Sequence, residues 1–197
     1  MSNILVFNKP YKVLSQFQDD QGRSTLSDYI NVPEFYAAGR LDYDSEGLMV
    51  LTNNGQLQHQ ISDPKHKLEK TYWVQVEGQV SEDQLKRLRA GPLLKDGPTL
   101  PAKVRLLGAE VKGLWPRVPP IRERATIPTQ WLEIRITQGR NRQVRRMTAA
   151  VELPTLRLIR MAIGNWRLKG LSVGEWRLEE VNTVGSRQSN SSRLRRK

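Results

Sequence analysis

The residue best placed for chemistry in this sequence is Asp42, which stands between a glycine–arginine pair and an apolar run. Gly39 and Arg40 come just before it, and residues 47–51 form an apolar run that is typical of a buried strand. Residues 36–38 predict another short strand, so Asp42 should lie in a tight connection at the edge of a sheet. Such rigidly held loops commonly carry catalytic groups. The pattern therefore predicts a carboxylate-dependent active site.

Two other interpretations of Asp42 are weaker. Together with Asp44 and Glu46 it imitates the first half of a calcium-binding loop, and Gly47 takes the position of the loop glycine. The position that needs a bidentate glutamate is instead Asn53, which argues against calcium. An isolated aspartate could also simply stabilise a turn. The neighbouring arginine and two distant motifs, described below, favour the catalytic interpretation.

Arginines are concentrated between positions 135 and 160, where seven of them share the stretch with one acidic residue, Glu152. A helix is predicted over residues 141–151, with apolar residues on one face and arginines on the opposite face. Because so few acids lie nearby, we expect the cluster to line an RNA-facing groove rather than to form surface salt bridges. Guanidinium groups match phosphates and also stack on unpaired bases. The seven are Arg135, Arg140, Arg142, Arg145, Arg146, Arg157 and Arg160.

The composition excludes several classes of protein. The chain has 197 residues, of which 38% are apolar, and this is enough for one substantial core. It has no cysteine, so a disulfide framework, a thiolate zinc site and a cysteine nucleophile are all excluded. His59 and His66 have no carboxylate or cysteine partner in sequence, so they predict no metal site. Residues 1–7 lack the features of a signal peptide and no apolar run could span a membrane, so we expect a cytoplasmic protein.

The positive charge of the chain is distributed unevenly. The net charge is +12, and residues 185–197 hold five basic residues and no acid, so the body retains +7. This excess suggests a polyanionic partner, since basic surface binds nucleic acid through the release of counterions. A basic surface that only keeps the protein soluble is the alternative that charge by itself leaves open. We expect residues 1–184 to form one domain and the basic tail to be disordered.

Helix and strand signals mix along the chain without a regular β-α-β period, which predicts an α+β fold. Ser81 and Gln84 have the spacing of a capping box, and Gly91 should end the helix that they begin. The proline-rich segment over residues 116–124 predicts a long loop. Strands are predicted over residues 4–7, 13–17, 36–38, 47–51, 69–77, 103–107, 130–137, 155–163 and 175–178. Helices are predicted over residues 24–30, 56–61, 82–90 and 141–151.

Three segments resemble the motifs of a known enzyme family. Residues 39–42 read Gly-Arg-Leu-Asp, residues 70–72 read Lys-Thr-Tyr, and the arginine-rich residues 139–147 follow them. In this order they resemble the aspartate, tyrosine and arginine motifs of the pseudouridine synthases, in the RsuA-type branch that modifies ribosomal RNA. Residues 8–11 and the run from 156 to 164 are also similar to that family, so the resemblance covers most of the chain.

The resemblance implies a mixed, mostly antiparallel sheet in two lobes, with flanking helices and a central cleft. It also implies an isomerase that breaks the bond between uracil and ribose and joins the ribose to a carbon of the same base. Asp42 would be the essential carboxylate, acting as a nucleophile or removing a sugar proton, with Arg145 as its ion-pair partner. Tyr72 would stack on the target uracil, and Leu158 would pack on the other side of the pocket.

The resemblance further implies how RNA would be held. A base that reacts must be flipped out of its stack, and Arg40 would fill the space that it leaves. Arg140, Arg142, Arg146 and Arg160 would contact the RNA, mainly through its phosphates. Several members of the family carry an S4-type RNA-binding domain before the catalytic part, and we expect none here. Substrate choice would then come from the catalytic domain, the proline-rich loop or the basic tail.

We therefore expect a monomeric enzyme that modifies a uridine of large-subunit (23S) ribosomal RNA, with no cofactor, no metal and no membrane partner. Two other functions are compatible with the same residues. A noncatalytic RNA-binding module for ribosome assembly would keep the basic groove and bind RNA independently of Asp42. A carboxylate-dependent glycosylase would act on the same base but would release free uracil.

Overall fold

A computed structural model of the protein describes residues 2–121, 124 and 126–181. The basic tail over residues 185–197, which the sequence predicts to be disordered, lies outside the described residues. Among the described residues, no helix is both long and apolar enough to cross a lipid bilayer.

The described residues contain eleven strands and three α-helices. The strands are β1 (Ser2–Lys9), β2 (Tyr36–Ala37), β3 (Glu46–Thr52), β4 (Lys70–Glu77), β5 (Leu93–Leu94), β6 (Gly97–Pro98), β7 (Lys103–Gly108), β8 (Thr129–Ile136), β9 (Thr155–Ile163), β10 (Trp166–Arg167) and β11 (Trp176–Val181). The helices are α1 (Gly55–Ser62), α2 (Glu82–Ala90) and α3 (Gln143–Ala150), with 3-10 turns at Leu26–Asp28 and Pro64–His66. Nine strands form one sheet in the order β11-β1-β3-β9-β4-β8-β7, in which β2 also pairs with β3 and β10 with β9. A two-stranded hairpin, β5-β6, is separate from this sheet.

The large sheet consists of two halves that meet at a parallel junction. β11, β1 and β3 form one half and β9, β4, β8 and β7 the other, and neighbouring strands within each half are antiparallel. β3 and β9 run parallel and pair at Glu46–Ile159 and Gly47–Arg160. Gly47 has a φ of 104°, and a Cβ on it would overlap the backbone oxygen of Arg160, so this close approach requires glycine. The connection that carries Asp42 leads directly into this junction.

Three apolar clusters fix the elements in place. The first lies between the β4-β8-β9 half of the sheet and helices α2 and α3, and it includes Leu158. The second joins α1 to strands of both halves, and the partly buried Trp115 packs against it. The third covers β1 and β3 with residues from the first part of the chain. The apolar face predicted for α3 is confirmed, since Val144, Met147 and Val151 are all buried.

The sequence predicts most of these elements correctly. The α+β class and the mixed sheet are confirmed, and α2 begins at the capping box of Ser81 and Gln84 and ends before Gly91. The strand predicted over residues 13–17 is wrong, because β11 and β3 already occupy both sides of β1 and leave that segment no edge to pair with. The helix predicted over residues 24–30 is a single 3-10 turn. The short strands β5, β6 and β10 were not predicted, since two residues carry little alternation signal, although the equally short β2 was predicted within residues 36–38.

Candidate active site

One cavity of about 600 Å³ gathers most of the residues that the sequence singles out. Arg40 and Asp42 reach it from the connection between β2 and β3, Tyr72 from β4, and Leu158 from β9. The loop before α3 contributes Arg142 to the opposite wall. The fold therefore brings together three motifs that are distant in sequence.

The backbone of the Asp42 connection is fixed by its own hydrogen bonds and by a neighbouring loop. The Ser45 N–H donates to the Asp42 carbonyl oxygen at 3.0 Å, which closes a turn around the aspartate. Ser15 Oγ accepts from the Leu41 N–H at 3.0 Å and donates to the Leu41 carbonyl oxygen at 2.6 Å. The Asp42 side chain is 33% exposed, so its carboxylate is held in place yet open to the cavity.

Arg142 bridges the two aspartates of this connection. Its guanidinium donates to both carboxylate oxygens of Asp44, at 2.9 and 2.8 Å, and its Nη1 lies 3.6 Å from Asp42 Oδ2. The hydrogen bonds from Arg142 hold the pKa of Asp44 below its ordinary value, although partial burial opposes this effect. Arg142 itself has a φ of 47° and is the residue from which α3 begins.

Arg145 holds the same connection, but with a different partner from the predicted one. Its Nη2 donates to the backbone oxygen of Asp44 at 2.6 Å and lies 3.5 Å from Asp44 Oδ2. The predicted ion pair between Arg145 and Asp42 is therefore corrected, because the guanidinium that pairs with Asp42 belongs to Arg142. Burial lowers the pKa of Arg145 from its ordinary value, which is consistent with a side chain that is packed beneath the loop and does not line the cavity.

Tyr72 and Leu158 form the apolar wall of the cavity. They lie on the neighbouring strands β4 and β9, where Tyr72 is paired with Arg160, two positions beyond Leu158. Their residues are only 8% and 5% exposed, and both line the cavity. An aromatic ring next to an aliphatic side chain offers a flat surface on which a base could stack.

Arg160 lies beneath the Asp42 connection and holds the backbone on both sides of Asp42. Its Nε donates to the Leu48 carbonyl oxygen at 2.8 Å, and its Nη1 donates to the Arg40 carbonyl oxygen at 3.2 Å. Arg160 is 4% exposed, so the contact with RNA expected from the sequence would require it to leave these partners. The geometry is that of a residue that positions the connection.

Arg140 and Arg146 meet at Asp96, which lies in the turn of the β5-β6 hairpin. Their guanidinium nitrogens lie 2.6 and 2.8 Å from the same carboxylate oxygen. Arg140 also donates to the carbonyl oxygens of Pro98 and Gly97, at 2.8 and 3.1 Å, and so fastens the hairpin to the loop before α3. Hydrogen bonds, above all from Arg146, lower the pKa of Asp96 to about 2. The hairpin is thus tied to the arginine motif.

Arg40 differs from the other arginines because it is exposed and weakly held. Its Nη2 donates to Gln16 Oε1 at 3.5 Å, which is at the limit of a hydrogen bond. It lines the cavity, two positions before Asp42 in the chain. Its side chain therefore has room to move when a substrate arrives.

The expectation that the arginine cluster lacks acidic partners is wrong. Six of the seven arginines between positions 135 and 160 form ion pairs with carboxylates. Several of these acids are far away in sequence, in the Asp42 connection, at the start of β3 and in the β5-β6 hairpin. A count of charges in one stretch misses them because the sheet brings the segments together. The acids concerned are Asp44, Glu46, Asp96 and Glu133, while Asp42 adds a second contact to Arg142 and Glu69 a second contact to Arg135.

Sequence reasoning also assigned no role to two lysines near the cavity. Lys9 is fully buried and donates to the carbonyl oxygens of Pro10 and Val13, at 2.9 and 2.7 Å. Burial lowers the pKa of Lys9 to about 7. Lys70 lines the cavity, and burial lowers its pKa as well. Lys9 ends the apolar strand β1, and this position is the sequence signal that could have predicted its burial.

Comparison with known protein sequences points to one family. Residues 3–150 match the family described as RNA pseudouridylate synthase. The chain is 57% identical over 192 residues to ribosomal large subunit pseudouridine synthase E of Xanthomonas axonopodis pv. citri (strain 306), which covers 96% of this chain and 100% of that protein. It is 60% identical over 168 residues to the protein of the same name from Vibrio vulnificus (strain CMCP6), which covers 85% of this chain and 71% of that protein.

Solved structures show the same similarity. A crystal structure of a pseudouridylate synthase superposes with a TM-score of 0.75 at 30% sequence identity, over 91% of this chain and 71% of that one. Human RNA pseudouridylate synthase domain containing 1 superposes with a TM-score of 0.55 at 16% identity, over 82% of this chain and 74% of that one. The second similarity concerns the fold alone.

Proposed function

Because the chain belongs to the RNA pseudouridylate synthase family, we propose that it converts a specific uridine of large-subunit (23S) ribosomal RNA into pseudouridine. The observation that carries this proposal is the meeting of Asp42, Tyr72 and Leu158, from separate motifs, in one cavity of about 600 Å³. A cavity of that size suits a single flipped nucleotide. The reaction transfers the ribose from a nitrogen to a carbon of the same base, so the site must hold one nucleotide while its base turns.

Asp42 is the group that acts on the nucleotide in this proposal. Its carboxylate lines the cavity, and the Arg142 guanidinium lies 3.6 Å from it. An ionised carboxylate could attack the sugar covalently or remove a sugar proton to give a glycal, and both routes need it in the same place. Arg145, bonded to the backbone of Asp44, serves to fix that place.

Tyr72 and Leu158 hold the base while it turns. The Tyr72 ring stacks on the uracil, and its hydroxyl is available to assist the loss of the proton from the carbon that forms the new bond. Leu158 packs against the base from β9. Both side chains are almost fully buried, so they give the reacting base an apolar surface from which water is excluded.

The arginines around the cavity divide into two groups in this proposal. Arg40 is exposed and weakly held, so it can enter the RNA stack and replace the flipped base. Arg142 and Arg146 keep 43% and 32% of their side chains exposed, and RNA phosphates can compete with their aspartate partners. Arg140 extends the same surface, whereas the buried Arg160 positions the Asp42 connection.

The class of RNA is proposed from the relatives and from the charge. The chain matches proteins named ribosomal large subunit pseudouridine synthase E over most of its length. Its net charge of +12 suits a polyanionic substrate. We place the reaction in the cytoplasm, where the proposed substrate is assembled into ribosomes, and assign it to the monomer.

Replacement of the essential carboxylate tests the proposal most directly. Asp42→Asn should abolish pseudouridine formation, because the amide is neither a nucleophile nor a base, while RNA affinity stays within a few-fold. Asp20→Asn, which alters an exposed carboxylate outside the cavity, is the matched control and should keep full activity. Pseudouridines are mapped across the ribosomal RNAs of cells that lack the gene and carry each variant.

Each alternative outcome has its own meaning. Full modification by Asp42→Asn would contradict the assignment of the carboxylate. Free uracil as the product would indicate a glycosylase. RNA binding without any product from the unaltered protein would indicate a noncatalytic assembly module.

A further inference from the structure

Glu46 is a buried carboxylate at the start of β3, directly after the Asp42 connection. It is 1% exposed, and Arg157 of β9 donates to both of its oxygens, at 2.7 and 2.8 Å. The Arg157 side chain is 6% exposed, so both charges are withdrawn from water. Such a pair depends on further hydrogen bonds to its remaining lone pairs.

A further hydrogen bond to Glu46 comes from Trp115, in the segment between β7 and β8. The indole Nε1–H donates to Glu46 Oε1 at 2.8 Å, and the Arg157 guanidinium carbon lies 5.6 Å from the centre of the indole ring. Residues 109–121 form neither helix nor strand, which agrees with the predicted loop where the two overlap. An irregular surface segment therefore supplies a donor to a buried charged pair.

The start of β3 is held from both faces of the sheet. Side chains three positions apart on a strand point to opposite faces, so Arg157 and Arg160 of β9 lie on different sides. Arg160 holds the carbonyl oxygens of Arg40 and Leu48, one on each side of Asp42 in the chain. On the other face Glu46 is held by Arg157 and Trp115.

A shift of Glu46 would be transmitted to the candidate active site. Glu46 is covalently joined to Ser45, whose N–H donates to the Asp42 carbonyl oxygen at 3.0 Å. Gly47, on its other side, is pressed against Arg160 and leaves little space for compensation. The position of the Asp42 carboxylate therefore depends on the position of Glu46.

We propose that Trp115 is a positioning residue for Asp42, acting through the buried pair of Glu46 and Arg157. The proposal rests on the proposed function, since it assigns a further residue to the same reaction. Trp115 is not one of the described residues that line the cavity, so it acts on the substrate only indirectly, through β3. Loss of its indole donor would leave Glu46 with Arg157 alone and allow the start of β3 to move. A small misplacement of a catalytic group reduces turnover strongly.

Trp115→Phe removes the indole N–H and keeps an aromatic ring, so it tests the hydrogen bond with little loss of packing. We expect kcat for pseudouridine formation to fall by about tenfold or more, while KM and RNA affinity stay within about twofold. The exchange rate of the Ser45 amide hydrogen should rise, because its bond to the Asp42 carbonyl oxygen is loosened. Trp176→Phe is the matched control, since Trp176 donates to the Tyr29 carbonyl oxygen at 3.1 Å from the far strand β11. Trp176→Phe should change neither kcat nor the exchange rate of the Ser45 amide hydrogen.

Glu46→Gln supplies the second test. If Trp115 acts through Glu46, the effects of Trp115→Phe and Glu46→Gln on kcat will not be additive. Should Glu46→Gln fail to fold, the kcat and the Ser45 exchange rate of Trp115→Phe still decide the question. Additive effects of two well-folded variants would overturn the proposal.

Other results would also overturn the proposal. A raised KM with unchanged kcat would mean that Trp115 contacts RNA directly. A lower free energy of unfolding with unchanged kcat would mean that it only stabilises the fold. If the unaltered protein forms no pseudouridine, the proposed function fails, and the Ser45 exchange rate alone then decides whether Trp115 positions the connection.

Discussion

Arg157 and Arg160 on β9 are 6% and 4% exposed. By contrast, Arg142, just before α3, and Arg146, within it, keep 43% and 32% of their side chains exposed. The β9 arginines bind a buried carboxylate and main-chain oxygens, so a change of partner would leave polar groups unsatisfied in the interior. The others bind aspartates that remain partly in water. Arginines of one sequence cluster therefore serve two purposes. The buried ones fix geometry, and in the proposed function the exposed ones exchange their carboxylate partners for RNA.

The largest effect should come from disturbing the junction that the buried arginines surround. Gly47→Ala would press a Cβ into the backbone of Arg160, so we expect a loss of at least about 4 kcal/mol in the free energy of unfolding, or no folded protein. Gly22→Ala is the control, because Gly22 also has a positive φ but has open space around it. It should cost about 1–2 kcal/mol. Equal losses in chemical denaturation would show that the junction is not tightly packed.

The next effect should separate the two groups of arginines. Arg157→Met leaves the buried Glu46 unpaired and should lower the free energy of unfolding by about 3–5 kcal/mol. Arg146→Met breaks a pair with the half-exposed Asp96 and should leave stability nearly unchanged. Thermal or urea unfolding of both variants measures the difference. The comparison fails if the two substitutions are equally destabilising.

The smallest effect concerns RNA binding and sharpens the same comparison. Arg40→Gln and Arg146→Gln should each reduce the slope of log affinity against log salt by about 0.7–0.9, because each side chain is exposed enough to displace a counterion. Arg105→Gln is the control, since Arg105 lies on β7, pairs with Glu133 and is outside the cavity lining. Salt titrations of RNA binding measure the slopes. A slope that changes only with Arg105 would place the RNA surface elsewhere.

The sequence predicted which residues meet in the candidate site better than it predicted the contacts between their side chains. Asp42, Tyr72 and Leu158 do converge in one cavity, because each belongs to a local motif whose strand or turn is predictable from a short stretch. The partner of Arg145 was not predictable in this way, since the choice between Asp42 and Asp44 depends on where α3 begins relative to a loop about a hundred residues earlier. A short motif carries no information on that distance.

The same limit explains the error about charge. Within its own stretch the arginine cluster has almost no acids, yet the sheet brings Glu46 to Arg157 and the β5-β6 hairpin brings Asp96 to Arg140 and Arg146. Hairpin strands of two residues leave no trace in the alternation of apolar residues. The ion pairs of Asp96 were therefore not predicted, because the hairpin that carries Asp96 was not predicted. Local patterns predicted the strands and helices, and tertiary contacts decided the chemistry of the arginines.

The parallel junction also has a consequence for the order in which the protein folds. Glu46 and Arg157 are 111 positions apart, and contacts across so long a stretch form late because closing the intervening chain costs conformational entropy. The cavity beside Asp42 cannot be completed before β9, which supplies Leu158 and ends at Ile163, has been synthesised and docked. A growing chain still attached to the ribosome should therefore be catalytically silent until nearly all of the described sheet has emerged. Maturation of the site is in this sense a late step of translation.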